Sequence, residues 1–128
     1  MENEKFETPI GTKEPEKLQA KKVQVVGKKI EMQTNKEKTK EYGERLTLIC
    51  KHPDREETID IFKVKYLKND KVTTAGLWYN LDEDKKICKL SALAETMRKY
   101  NVETITGFED QELDTTEDER GYLCVKAY

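Results

Sequence analysis

No apolar stretch in this sequence approaches the roughly 20 residues that a membrane-spanning helix requires, and the amino-terminal MENEKFETPIGTKEPEK has neither the basic start nor the apolar run of a secretory signal. The expectation is a cytoplasmic protein with no membrane contact. There is one histidine, His52, beside Pro53 at the end of an apolar segment, which leaves histidine-based catalysis with little support. The three cysteines, Cys50, Cys88 and Cys124, are odd in number and far apart, so a disulfide framework is not expected and reduced thiols are. With His52 they are zinc ligands by type, but no pair has the close spacing that preorganises a zinc site. The carboxylates of NLDEDKK lack the glycine and terminal glutamate of a calcium loop, and turn chemistry accounts for them better. A phosphate loop, a dinucleotide glycine fingerprint, a nucleophile elbow and an HExxH helix are all absent. No cofactor is implied, and Asp82, Glu83 and Asp84, the nearest thing to catalytic acids, have no visible partner group; the chain does not read as an enzyme.

What is present is the material for one domain. The 128 residues suffice for a single core. Charged residues make up 39% and hydrophobic ones 35%, yet the apolar residues gather in short periodic runs instead of being diluted evenly. The abundance of Glu and Lys is of the kind found in thermophilic proteins. The formal net charge of −2 hides a division: residues 17–45 hold nine basic side chains against four acidic, and residues 101–128 hold two basic against eight acidic. One face can be basic while the molecule is acidic.

Residues 1–16, with Pro9, Gly11 and Pro15 among acids, read as a flexible acidic tail, and residues 17–128 as one domain. Val23 and Val25 alternate, Gly27 interrupts, and Ile30 and Met32 resume, the pattern of one long strand bent at a glycine. NKEKTKEYGE, residues 35–44, reads as a lysine-rich loop, and RLTLICKH as a strand with Leu46, Leu48 and Cys50 on one side. TIDIFKVKYLK and VTTAGLWYN are two strands joined at Asn69 and Asp70. Pairing Leu67 with Val72 puts Phe62, Val64 and Tyr66 on the face of Ala75, Leu77 and Tyr79, the core face, and Ile61, Lys63 and Lys65 on the face of Thr74, Gly76 and Trp78. Trp78, the only tryptophan, then points outward beside lysines. Leu90, Leu93, Ala94 and Met97 have helical spacing, with Asn101 as a stop. VETITGFEDQELDT and RGYLCVKAY read as two closing strands.

The prediction is a mainly β, OB-like barrel with one α-helix between the hairpin and the last two strands. In this element order the chain resembles the oligonucleotide-binding fold, and SALAETMRKYNVETITGFEDQELDTTEDERGYLCVKAY resembles the end of small viral and archaeal single-strand-binding proteins. The resemblance implies that a single strand of nucleic acid, DNA by that likeness, crosses the face of the second and third strands. Such binding needs aromatic surfaces for bases and cations for phosphates. Trp78 and Tyr42 are the candidates for the first, and Lys63, Lys65, Lys36, Lys38, Lys40 and Arg45 for the second. The acidic carboxy-terminal half would face away or meet a protein partner. The alternatives are that Trp78 packs under the tail or against Ile61 while the lysines only solvate an outer face, and that the barrel or a free sheet edge is a protein-interaction module.

Overall fold

A computed structural model describes residues 6–11 and 18–128. The flexibility expected of residues 1–16 therefore falls for the most part outside the described residues.

The long first strand, β1 (Val23–Thr34), pairs antiparallel with β2 (Glu41–Lys51), and the register slips between Val25 and Gly27, the bend expected at that glycine. The slip leaves Val25 opposite Cys50 and Ile30 opposite Leu46, but only Val25 is buried and Ile30 is exposed. The connection is shorter than the sequence suggests. Residues 35–40 form the turn and β2 already begins at Glu41, because Asn35 closes the turn by accepting hydrogen bonds from the Thr39 and Lys40 N–H groups on its Oδ1 (2.9 and 3.1 Å).

After a short turn, β3 (Ile59–Ile61) returns along β2, and β4 (Lys63–Lys68) follows after Phe62 alone. The hairpin to β5 (Lys71–Gly76) has the expected register, Leu67 opposite Val72 and Lys63 opposite Gly76. Its two central residues, Asn69 and Asp70, both have positive φ, the backbone that matches strand twist in a two-residue turn. One part of the predicted parity is wrong. Ile61 is buried and Phe62 is not, because the strand changes partners at Phe62: Ile61 and Val64 are both in the core with two residues between them, so strict alternation is broken there.

The helix α1 (Ala92–Lys99) starts where Ser91 accepts a hydrogen bond from the Ala94 N–H at 3.1 Å, and Asn101 ends it at positive φ. It buries Leu93 and Met97, whereas Leu90, expected on the same face, precedes the cap and is exposed. The segment after it is a 3-10 turn (Ile105–Phe108), not a strand; β6 (Glu112–Leu113) and β7 (Thr115–Glu117) follow, and β8 (Leu123–Ala127) closes the chain.

β6 pairs with β1, β7 with β8, and β8 runs parallel to β4. Since β3 leads into β4 and β6 into β7, the two four-stranded sheets are joined end to end and curl into a mainly β, barrel-like fold that carries α1. Inside lie Val25, Leu46, Leu48, Val64, Leu77, Leu93, Phe108, Leu113 and Val125. No helix of the described residues is long and apolar enough to cross a membrane.

Cys50 and Cys124 are buried on β2 and β8, and burial pushes their thiols up to about 12 and about 11; Cys88 is half-buried before the helix. In folded protein at neutral pH an Ellman-type reagent is therefore expected to titrate at most one thiol, Cys88, and all three after denaturation. Rapid modification of two or more native thiols would contradict this placement. Among the described residues no group of three or more His, Cys, Asp or Glu side chains is arranged to hold a metal ion.

Candidate nucleic-acid interface

The site grows out of a fork in the sheet. Over residues 48–50, β2 pairs with β3; further along, its partner becomes the segment after β5, with the Leu46 N–H donating to the Leu77 carbonyl and the Tyr79 N–H to the Glu44 carbonyl. The Leu77 N–H in turn donates to the Phe62 carbonyl at 2.9 Å. Leu77 is thus wedged into the core at the point where β3 and the 77–79 segment diverge from β2. Its neighbour Trp78, bridged to Arg45, is thrown to the outer side.

Three side chains meet there. The Arg45 guanidinium lies over the Phe62 ring, 3.9 Å from its centroid, and 5.8 Å from that of Trp78. Trp78 is half-buried and lies across two glycines: a Cβ on Gly76 would come within 2.9 Å of its Nε1, and one on Gly43 within 3.9 Å of its Cε3. Trp78 is neither a core plug nor a bare ring. The absence of a side chain at residue 76 makes room for the indole, and Gly43, held at a φ of 117°, lies against it at ordinary van der Waals distance.

Among the described residues Arg45 has no ion-pair partner, and its Nε is buried without a hydrogen-bond partner. Glu31, directly opposite across the β1–β2 ladder, is engaged by Lys29 at 3.2 Å. Burial draws the Arg45 pKa below the ordinary guanidinium value, against the pull of Glu31. A buried donor left unpaired costs about 1–3 kcal/mol.

No family model, curated protein or solved structure matches this chain.

Of the predicted site residues, the structure brings Trp78 and Arg45 together; Lys63 is opposite Gly76 on the neighbouring strand. Its ammonium stands 3.9 Å from the buried carboxylate of Asp118. Burial would raise the Asp118 pKa, but the N–H groups of Tyr122 and Arg120, with Lys63 and Lys65 nearby, outweigh it and hold the net value below the ordinary carboxylate range. The stability this adds is complete above that range and is lost as pH falls through the lowered value. Lys65 is half-buried one step further, between Thr74 and Lys126.

Lys36, Lys38, Lys40 and Tyr42 form a separate group at the end of the β1–β2 hairpin, with the Lys40 ammonium 5.6 Å from the Tyr42 centroid. All four are exposed. At ~3.3 Å per strand residue, Lys40 is roughly 16 Å along β2 from Arg45, so this group extends the Trp78 cluster and does not join it. Tyr42 belongs to β2, not to the loop.

Phe62 is the member that sequence reasoning missed. Strict period-two alternation sends it inward, and only the close run of alternating apolar residues on both of its sides hints that two strands with different partners abut there.

Proposed function

We propose that this chain is a non-enzymatic domain that binds single-stranded nucleic acid, DNA by the family it resembles, through aromatic stacking and a basic sheet face. The observation that carries the reading is the Arg45–Phe62–Trp78 cluster: a flat aromatic surface beside a guanidinium whose Nε is unpaired, on the outer face of β2. A base stacks on the indole, the adjoining phosphate takes up the Arg45 donors, and the lysines of residues 36–40 lie along the same hairpin for the phosphates beyond. The acidic carboxy-terminal half is left for a protein partner, and the setting is the cytoplasm of a cell or of a viral host.

Because Trp78 is the only tryptophan, its fluorescence is a direct readout. Titration with oligo-dT is expected to quench it, with an affinity that falls as salt is raised. Absence of binding at low salt, or binding indifferent to salt, would overturn the proposal.

A second reading rests on a different feature. β5 is an edge strand, and Leu67 and Val72, paired at its tip, are about half exposed (52% and 51%). That edge suits a protein-interaction module. A stable dimer by light scattering, together with no binding to any oligonucleotide, would favour it.

A further inference from the structure

Phe62 has a second neighbour besides Arg45. Its ring also lines a cavity of about 490 Å³, a size typical of small-ligand sites, whose floor is residues 59–63 and whose walls are residues 118–123 on one side and Leu18 with Arg55 on the other. Both walls are fixed. Asp118 accepts hydrogen bonds from the Arg120 and Tyr122 N–H groups, each 2.9 Å, and donates its own N–H to the Tyr122 carbonyl at 2.8 Å, closing the turn on itself. On the other side His52 donates from Nε2 to the Gln19 carbonyl at 2.8 Å while its Nδ1 accepts from the Asp54 N–H, and Lys21 pairs with Asp54 at 2.7 Å. The cavity is therefore preformed.

The lining suits an aromatic guest. Ile59 and Leu123 supply apolar surface and Phe62 and Tyr122 supply rings, while Lys63 stands 3.9 Å from Asp118 and Arg55 is paired with Glu57 at 3.1 Å. The acids at the cavity are already engaged, Asp60 with Lys29 at 3.7 Å and Asp118 as described. Tyr122 is 62% exposed although the turn beneath it is rigid, so a large ring is held out at the cavity mouth with little of it used in packing.

We propose that this cavity is a base pocket, which takes one nucleobase turned out of the bound strand and stacks it on Tyr122 beside Phe62, with the flanking phosphate at Lys63. The inference rests on the nucleic-acid reading and adds a position to it: Phe62 is the shared edge, so the pocket continues the Trp78 platform. An unstacked base exposes both faces, and an aromatic ring is the least sequence-dependent partner it can find.

The test uses the full chain and oligo-dT. Tyr122→Ala is expected to weaken binding about 5- to 150-fold, the equivalent of one stacked base, with melting unchanged because the side chain is exposed. Tyr122→Phe, which keeps the ring and loses the hydroxyl, is expected to bind as the parent does. If the parent binds and Trp78→Ala weakens it while Tyr122→Ala binds like the parent, the pocket is refuted and the platform stands. If Tyr122→Phe is as weak as Tyr122→Ala, the hydroxyl and not stacking is at work, and the base pocket is again refuted. If the parent itself does not bind oligo-dT, the underlying reading fails and takes the pocket with it.

Discussion

Phe108→Ala is expected to destabilise the fold by about 3–5 kcal/mol, the usual cost of truncating a fully enclosed aromatic side chain. Phe108 is the largest fully buried residue, with no solvent exposure, and it belongs to the main cluster with Leu46, Leu93 and Leu113. Its backbone is constrained as well, since the Phe108 carbonyl accepts from the Gln111 N–H at 3.1 Å as the chain turns toward β6, the strand that seals the barrel against β1. A cavity there would loosen both the core and the closure. A domain of this size has roughly 5–15 kcal/mol in total, so the variant should melt roughly 10–20 °C lower than the parent. A fall of only a few degrees would mean that the surrounding side chains collapse into the space, and that the 3-10 turn is not the plug the structure makes it.

Trp78→Ala is expected to lower oligo-dT affinity by about 1–3 kcal/mol and to cost only about 1–2 kcal/mol of stability. The small stability effect follows from half burial. The indole rests on Gly43 and Gly76 and flanks Arg45, so its removal uncovers backbone and one guanidinium but opens no void in the core. The affinity effect follows from the same geometry, since the opposite face of the ring is the surface on which a base would stack. Protein melting curves and oligo-dT binding isotherms on the same variant separate the two. A loss of 3–5 kcal/mol in stability would make Trp78 a core residue, and unchanged affinity would remove it from the interface.

Much of the barrel is legible in alternation. Val23, Val25, Leu46, Leu48 and Cys50 occupy the inward positions that period two assigns them, and the Leu67–Val72 register follows from turn chemistry at Asn69 and Asp70. Legibility fails where the period changes. Val102, Ile105 and Phe108 are spaced by three, the repeat of a 3-10 turn, and a strand template reads them as a poor alternation. Leu90 fits the helical spacing, but the cap at Ser91 takes it out of the helix. Phe62 fails for a non-local reason: which strand it pairs with depends on residues 46 and 77, and no window around residue 62 contains them. The candidate site shares that fate. Arg45 and Trp78 can each be picked out as types, but their meeting depends on the change of partner along β2 and on Gly76, which leaves room for the indole.

The fork at Leu77 would also tie any ligand held at this cluster to the folded state as a whole. Arg45, Phe62 and Trp78 come from three segments that touch only when β2 has exchanged one partner for another, so no fragment of the chain carries the site and the denatured ensemble has none of it. Every increment of binding free energy then appears as protection of the native state, rising with the logarithm of ligand concentration. In hydrogen exchange that protection should appear together at the amides of Leu46, Leu77 and Tyr79, three donors at the one junction, however far apart they are along the chain.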